Sequence, residues 1–394
     1  MRNWAQLCLL PALAAALPSQ GHHAVGKYDV AWTNTTGVGN ATLTARVHYP
    51  ALIGGYQAPI APSPAGWPVV VFLHGYSLVG QDYSALGDAW ATAGFVVVLS
   101  DTAQWNYLEQ EADGWALYDA VVSANTQQGF FAGAFDTTRI ALAGHSMGGG
   151  SIGSVLASNP GYACGLALAP VAPPATTAAQ VRVPFGIVVG TGDVITPFFQ
   201  FAQPYFEALG SSNGLKFLYL MNDDCEHMNV AGLGTSQVTP VFERSSELGL
   251  GFLSHFMRLG ITGLDNVVGP PALAEPRLIR LSQEVSVPQV WAAGPLQIGV
   301  TTRLSVIAEP GLAGILAAFS LGPGIPTSIG VLNLDPLSAF TLAAMPVDSH
   351  NRLDAFVQIP NVPALVGLPI ALQAVGATAL SPLWLGSTLQ LSVE

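Results

Sequence analysis

The stretch ALAGHSMGGGS, residues 141–151, constrains the fold more than any other part of this chain. Gly144, Ser146 and Gly148 match the G-x-S-x-G pattern, in which a sharp turn joins a buried strand to a helix. The flanking residues support this strand–turn–helix assignment. RIALAG is typical of a short buried strand, and GGGSIGSVLASNP is typical of a helix ended by Asn-Pro. The pattern therefore predicts a strand–turn–helix unit that presents the hydroxyl of Ser146 as a nucleophile, and a Gly-rich turn that only packs closely is the alternative.

Strand-like and helix-like segments alternate between about residues 26 and 265. The runs WPVVVFLHG and GFVVVLSD are continuously apolar, as expected of strands that are covered on both faces. Helical spacing occurs in DYSALGDAWATA, ADGWALYDAVVSANTQQ and PVFERSSELGLGFLSHFMRL. This alternation predicts an α/β domain over residues 22–265 with a doubly wound, mostly parallel sheet. The polar–apolar segment TLTARVHYP is expected at an edge of that sheet.

The pattern changes after residue 265. The Pro-rich segment NVVGPPALAEPR, residues 266–277, is predicted to be a linker. Beyond it, short β-prone runs such as RLIRLSQEVSV, GILAAFSLG and STLQLSVE are separated by Gly-Pro turns. Residues 278–394 are therefore predicted to form a separate all-β, sandwich-like domain, and no motif within it indicates a chemistry.

The composition excludes some partners. Only 9% of the 394 residues are charged, and the formal net charge is −12. A chain so poor in Lys and Arg has no basic patch to bind phosphates, so neither nucleic acid nor an anionic membrane surface is expected as a partner. The mean hydropathy is +0.45, but no uninterrupted apolar run of about 20 residues follows the N-terminal segment, which argues against a membrane span.

The first 21 residues have the pattern of a secretory signal peptide. Arg2 precedes an apolar stretch from Leu7 to Leu17, and small polar residues follow. We therefore expect the protein to be secreted or held at the cell surface, and an uncleaved anchor is the alternative.

Two cysteines, Cys164 and Cys225, remain after the predicted signal peptide. Secretion would permit a disulfide bond between them. However, Cys164 opens the strand GLALAP, whereas Cys225 follows the strand KFLYL, which places the thiols at opposite ends of the sheet. A strand of six residues spans roughly 20 Å, beyond the reach of a disulfide, so the pair is predicted not to be bonded.

A serine nucleophile needs a base, and the base needs an orienting carboxylate. On a strand–turn–helix unit of this kind, the partners follow in the chain order Ser, acid, His. His227, in NDDCEHMN just past the last core strand, is the histidine that fits this order. Asp193, in VVGTGDVITP at the end of a buried strand, is the candidate acid. Asp101 also ends a strand, but it precedes the serine.

Three acidic residues, Asp223, Asp224 and Glu226, lie close to the candidate base in sequence. We expect them to form a solvated acidic loop, and cation binding is the alternative. Their negative field would favour the imidazolium form of His227. The predicted chemistry requires no metal and no organic cofactor.

Two backbone N–H groups are predicted to form an oxyanion hole. One belongs to Met147, directly after the nucleophile and at the N-terminus of a helix, where the partial positive charge favours an anion. The other belongs to Tyr76 in LHGYS, after the first central strand. The ring of Tyr76 would also lie over the acyl site.

Three segments resemble bacterial cutinases and the polyester (PET) hydrolases related to them: HGYSLVGQDYSALGDAWATAGFVVVLSDT, DTTRIALAGHSMGGGSIGSVLASNP and GDVITP. The wider group, which includes chlorophyllases and platelet-activating-factor acetylhydrolases, is similar as well. The resemblance covers about residues 26–260 and implies an α/β-hydrolase fold. It also implies that Ser146, Asp193 and His227 are the catalytic triad and that Tyr76 and Met147 form the oxyanion hole.

The chain departs from these relatives at positions that would contact a substrate. Polyester hydrolases that resemble it usually carry a tryptophan shortly after the sixth strand, and Val171 or Ala172 stands there in this chain. An aromatic clamp would then depend on Trp105 in DTAQWNY, on another loop. Tyr76, Trp105, Val171 and Ala172 are therefore the candidate substrate-binding residues. The cysteine pair near the end of the catalytic domain of many cutinases is also missing.

These features together predict a secreted, monomeric serine carboxylester hydrolase of cutinase or polyesterase type. Only residues 171–180 separate LALAP from VRVPFGIVV, which leaves no room for a helical lid and suits exposed or polymeric esters. A lipase or acetylhydrolase that acts on small acyl esters is one alternative. A non-catalytic secreted binding protein on a hydrolase scaffold is the other.

Overall fold

The computed structural model describes residues 22–210, 214–233, 239–257, 262–378 and 383–394. The predicted signal peptide, residues 1–21, lies outside these residues and stays a prediction. Among the described residues, no helix is both long and apolar enough to cross a membrane.

A first set of strands builds one large sheet: β1 (Ala24–Thr33), β2 (Thr42–Ala51), β3 (Gly55–Tyr56), β4 (Trp67–Leu73), β5 (Val96–Ser100), β6 (Phe135–His145), β7 (Gly165–Leu168), β8 (Phe185–Gly190), β9 (Leu215–Met221) and β10 (Leu278–Val285). The helices are α1 (Ser84–Thr92), α2 (Tyr107–Thr126), α3 (Met147–Ser158), α4 (Ala175–Ala178), α5 (Ala202–Ala208), α6 (Pro240–Phe256), α7 (Asp265–Val268) and α8 (Pro270–Leu273). The remaining strands are β11 (Gln289–Ala292), β12 (Thr301–Ile307), β13 (Leu312–Ala318), β14 (Leu321–Thr327), β15 (Gly330–Leu334), β16 (Phe340–Pro346), β17 (Arg352–Gln358), β18 (Pro369–Ala377) and β19 (Trp384–Ser392).

The large sheet has the strand order β10-β9-β8-β7-β6-β4-β5-β2-β1-β3. Its six central strands, from β9 to β5, run parallel to one another. On the two flanks, β10 and β2 pair antiparallel with β9 and β5. The prediction of an α/β region with a large, mostly parallel sheet is confirmed.

Two strand assignments made from the sequence were wrong. Strand β2, which was expected at a sheet edge, lies between β5 and β1, because β1 pairs with it along its whole length. Strand β10, which was assigned to the C-terminal domain, pairs antiparallel with β9 from Leu278 to Val285. The physical reason is the same in both cases: an alternating pattern shows that a segment is a strand, but the pattern does not specify the strand's partner.

Two apolar clusters cover the two faces of the sheet and explain the uninterrupted apolar runs. In β4, Val69 and Val71 face the cluster packed by α2 and α3, whereas Val70 and Phe72 face the cluster packed by α1 and α6. Successive side chains of a strand point to opposite faces, so a strand covered on both faces must be apolar at every position. The carboxyl ends of the parallel strands therefore lie along one edge of the sheet, between two rows of helices.

The region after β10 consists of antiparallel sheets, as predicted. One sheet has the order β11-β12-β17, a second has the order β16-β13-β18-β19, and β14 pairs with β15. The first two sheets share one apolar cluster, to which β12 contributes Val306 and β13 contributes Ile315.

The segment between the two regions, which was predicted to be a linker, is packed against the core. Residues 266–277 include helix α8 and most of α7, and Val267 and Ala272 are buried in the same cluster as α6. Trp291 of β11 also belongs to that cluster, and its Nε1 donates to Asp265 at 3.1 Å. Asp265 is paired with Arg303 as well. The two regions therefore share apolar core and a partly buried ion pair.

Cys164 and Cys225 are both buried and unpaired in the described part of the chain. Cys164 lies directly before β7, and Cys225 lies after the end of β9. This matches the prediction that the strand length keeps the two thiols apart.

Candidate active site

The candidate nucleophile lies on the turn between β6 and α3. Ser146 has φ +55° and ψ −116°, a backbone conformation that residues with a side chain seldom adopt. A Cβ on Gly144 would lie 2.6 Å from the backbone of Gly148, and a Cβ on Gly148 would lie 2.1 Å from the carbonyl oxygen of Leu73. Glycine is therefore required at both positions, because no side chain fits two residues before or two residues after the serine.

The structure brings Ser146, His227 and Asp193 into one line of hydrogen-bonding atoms. Oγ of Ser146 lies 2.9 Å from Nε2 of His227, and Nδ1 of His227 lies 2.8 Å from Oδ2 of Asp193. All three residues are buried, although they come from turns after β6, β8 and β9. These distances allow a proton to pass from the hydroxyl to the imidazole while the carboxylate orients the ring.

The carboxylate of Asp193 is held in its ionised form. Burial acts to raise the pKa of Asp193, but hydrogen bonds from His227 and from Thr196 outweigh it and hold the pKa below its ordinary value. The backbone N–H groups of Ile195 and Thr196 donate to Oδ1 at 2.9 and 2.7 Å. An ionised carboxylate beside Nδ1 favours the tautomer of His227 that leaves Nε2 free to accept a proton.

Thr196 is a site residue that the sequence analysis missed. Its hydroxyl lies 2.7 Å from Oδ2 of Asp193 and 3.1 Å from Nδ1 of His227, so it contacts both members of the pair. A signal was present in the sequence, because an Asp followed three residues later by Thr in a turn is typical of a side chain that bonds to the backbone of its own loop.

The loops that carry the predicted oxyanion donors lie beside the nucleophile. Met147 is the first residue of α3, and Tyr76 follows β4. Strands β4 and β6 are neighbours in the sheet and pair Leu73 with Gly144, so the loop after β4 begins next to the turn that carries Ser146. Both backbone groups are therefore at the carboxyl edge of the sheet where the candidate nucleophile lies.

The four candidate substrate-binding residues are distributed unevenly around the turn. Tyr76 and Trp105 are 57% and 62% exposed, and their rings meet edge to face with centroids 5.2 Å apart. The N–H of Val171 donates to the carbonyl oxygen of Ser146 at 3.0 Å. Ala172 packs against the apolar core of the sheet. The structure thus brings the two aromatic rings together. The backbone of Val171 contacts the backbone of Ser146, whereas Ala172 packs on the core.

The acidic residues near His227 are engaged with their neighbours. Asp223 accepts a hydrogen bond from the hydroxyl of Thr191, and Oδ2 of Asp224 accepts one from the side chain of Asn222 at 3.3 Å. Across the residues that the structure describes, no group of three or more His, Cys, Asp or Glu side chains is arranged to hold a metal ion.

Comparison with known proteins identifies relatives of this chain. A family model described as PET hydrolase-like (PETase) matches residues 9–241. A bis(hydroxyethyl) terephthalate hydrolase of Streptomyces coelicolor is 27% identical over 203 residues, which are 52% of this chain and 60% of that protein. Cutinase 1 of Thermobifida cellulosilytica and a cutinase of Thermobifida fusca are each 27% identical over 212 residues, which are 53% of this chain and 74% and 64% of those proteins. The match thus spans less than two thirds of the S. coelicolor and T. fusca proteins. The resemblance inferred from the sequence motifs is confirmed.

Proposed function

The chain belongs to the PET hydrolase-like family, and from this premise we propose that it is a serine carboxylester hydrolase of cutinase or polyesterase type on an α/β-hydrolase fold. One observation carries the proposal. The hydroxyl of Ser146, on a strained turn, lies 2.9 Å from an imidazole that is itself bonded to the buried carboxylate of Asp193. A scaffold that only binds a partner needs neither the strained turn nor the ordered line of acid and base.

The proposed reaction has two halves. Oγ of Ser146 adds to the ester carbonyl carbon while Nε2 of His227 takes the hydroxyl proton, and the alcohol then leaves with that proton. Water attacks the acyl-enzyme by the reverse route and releases the carboxylic acid. Asp193 orients the imidazole, and the N–H groups of Tyr76 and Met147 stabilise the oxyanion, each by a factor of about 10²–10³ in rate.

The proposed substrates are exposed or polymeric esters, including esters of aromatic acids. The edge-to-face pair of Tyr76 and Trp105 offers exposed aromatic surface on the loops that follow β4 and β5. Trp105 would supply the aromatic contact in place of the tryptophan that is missing near Val171. Between β7 and β8 the chain forms only the four-residue helix α4, so no helical lid covers the nucleophile from that side.

The direct test replaces Ser146 by Ala. We expect the Ser146→Ala variant to lose nearly all esterase activity on p-nitrophenyl esters and to lose labelling by a fluorophosphonate probe. Ser158→Ala is the matched control, because Ser158 lies at the exposed end of the same helix and should leave activity unchanged. An active Ser146→Ala variant would remove the nucleophile assignment. A series of esters from acetate to polyester film then separates the two substrate classes: strong activity on short esters with none on polymers would contradict the proposed class.

Three further features complete the proposal. Residues 1–21 direct export, and the enzyme acts as a secreted or surface-held monomer. The catalytic unit begins at residue 22 and includes β10, which completes the sheet beside β9. The antiparallel sheets after β10 form a sandwich-like domain around their own apolar cluster.

A further inference from the structure

Buried hydrogen bonds connect three loops of the site through two side chains that have no role in the proposed reaction. The backbone N–H of Gly75 donates to Oη of Tyr83 at 2.8 Å, and Oη lies 2.8 Å from Nδ1 of His145. Nε2 of His145 lies 2.8 Å from the carbonyl oxygen of His227. Tyr83 and His145 have no exposed surface, and we name this pair of side chains the Tyr83–His145 bridge. The bridge joins the loop before Tyr76, the nucleophile turn and the loop of the base.

The protons of the bridge have one consistent arrangement. A carbonyl oxygen only accepts, so Nε2 of His145 carries a hydrogen that it donates to His227. Burial lowers the pKa of His145 to about 3, so Nδ1 carries no proton near neutral pH and accepts. Burial also raises the pKa of Tyr83, which keeps its hydroxyl protonated. Oη therefore donates to His145 and accepts from Gly75.

The peptide unit that Tyr83 contacts is held from its other side as well. The carbonyl oxygen of His74, in the same peptide, accepts from Nε2 of Gln110 at 2.9 Å. Oε1 of Gln110 in turn accepts from the hydroxyl of Ser151, in α3, at 2.9 Å. Both polar groups of this peptide are thus fixed by buried side chains. The next peptide carries the N–H of Tyr76, and its carbonyl oxygen, on Gly75, lies 2.8 Å from Nδ1 of His74. The bonds to the preceding peptide therefore act together with His74 in setting the direction of that donor.

The close approach at this peptide depends on glycine. A Cβ on Gly75 would lie 3.1 Å from Nδ1 of His145 and 3.2 Å from Oη of Tyr83. Distances this short are rarely found between a Cβ atom and its non-bonded neighbours. The absence of a side chain lets the bridge reach the backbone directly, and it also leaves the peptide without steric restraint of its own.

We propose that Tyr83 and His145 are positioning residues for ester hydrolysis: Tyr83 directs the N–H of Tyr76 towards the oxyanion, and His145 holds the backbone of the base His227. This inference rests on the function proposed above. Because negative charge on the carbonyl oxygen develops fully only in the transition state, a misdirected donor lowers kcat more than it weakens substrate binding. A residue that only fills the core would change stability instead.

Tyr83→Phe is the decisive variant, because it removes only Oη and keeps the ring that packs on Phe72 with centroids 4.7 Å apart. We expect kcat for a p-nitrophenyl ester to fall by about 10- to 100-fold with little change in KM, since small displacements of catalytic groups have effects of that order. Tyr162→Phe is the matched control. The hydroxyl of Tyr162 is also buried and donates to the carbonyl of Gly114 at 2.7 Å. However, Tyr162 precedes β7, so it lies at the end of the strands opposite to Ser146. Equal kcat values in the two variants, both measured where circular dichroism shows them folded, would overturn the role of Tyr83.

A double-variant cycle tests the bridge as a unit. His145→Leu removes both the acceptor for Tyr83 and the donor to the carbonyl of His227, so it breaks a bond that Tyr83→Phe also breaks. The combined variant should therefore lose less activity than the product of the two single losses. Losses that multiply would show that the two side chains act independently and would overturn the coupling.

Ser146→Ala separates this inference from the proposed function. If that variant keeps its esterase activity, the proposed function fails. If it is inactive while Tyr83→Phe behaves like Tyr162→Phe, the proposed function stands and only the bridge fails.

Discussion

The sheet region and the β-rich region bury different kinds of polar side chain. Among the described residues up to β10, the buried ionisable side chains include His48, His74, His145, Asp193 and His227. After β10, the buried polar side chains are amides and hydroxyls: Gln289, Thr302, Ser305 and Gln373. An amide or hydroxyl needs only hydrogen bonds when it is buried, whereas an ionisable group must also be paired or kept neutral. Among the described residues, the interior with buried ionisable groups is thus that of the first region, and it includes the side chains of the candidate site.

The two regions nevertheless share part of their core. Trp291 of β11 and Ile307 of β12 are buried in the cluster that covers one face of the large sheet. The contrast between the two interiors can be tested by substitutions that should affect catalysis alone, stability alone, or the dependence of stability on pH.

The largest effect is expected from Asp193→Asn. An amide in place of the carboxylate cannot hold the required tautomer of His227, so kcat should fall by about 10⁴-fold while the fold is kept. Steady-state kinetics on a soluble ester measure the loss. Asp119→Asn, at an exposed position of α2, is the matched control and should leave kcat unchanged. Near-normal activity of Asp193→Asn would assign the acid role to another carboxylate.

A smaller free-energy effect, on stability alone, is expected from Trp291→Ala. Removal of this fully buried ring should lower the free energy of unfolding by about 3–5 kcal/mol, measured by urea denaturation, with unchanged kcat for the folded fraction. Phe356→Ala is the control from the same region, because Phe356 is 73% exposed and should cost no more than about 0.5 kcal/mol. If Trp291→Ala were as stable as the control, the two regions would not share a core.

The smallest effect concerns acid stability. Burial lowers the pKa of His145 to about 3, whereas the unfolded chain takes up this proton near pH 6.5. The stability that comes from a neutral His145 is therefore present above pH 6.5 and is lost as the pH falls towards 3. Between pH 6.5 and 5, His145→Gln should reduce the slope of unfolding free energy against pH by up to about 1.4 kcal/mol per pH unit.

The control for this slope comes from the β-rich region. His350 is half-exposed in the turn before β17. His350→Gln should leave the slope as it is in the parent protein. An equal change of slope in both variants would show that burial of His145 is not its cause.

Sequence reasoning succeeded where a property depends on neighbouring residues. The glycines at 144 and 148, the apolar runs of β4 and β5 and the chain order of Ser146, Asp193 and His227 are all readable from short segments. Their functional roles remain proposals, but the structure does bring the three side chains within hydrogen-bond distance. The failures concern strand partners: β1 beside β2, and β10 beside β9.

The sequence by itself determined that a serine would stand on a glycine-flanked turn after a buried strand, because steric contacts within a few residues allow little else there. Only the tertiary structure decided which distant groups meet around that turn. Tyr83 bonds to His145 across 62 positions, and His145 bonds to the backbone of His227 across 82. Local patterns encode conformation and burial, whereas these bonds exist because sheet order and helix packing bring separate loops to the same edge.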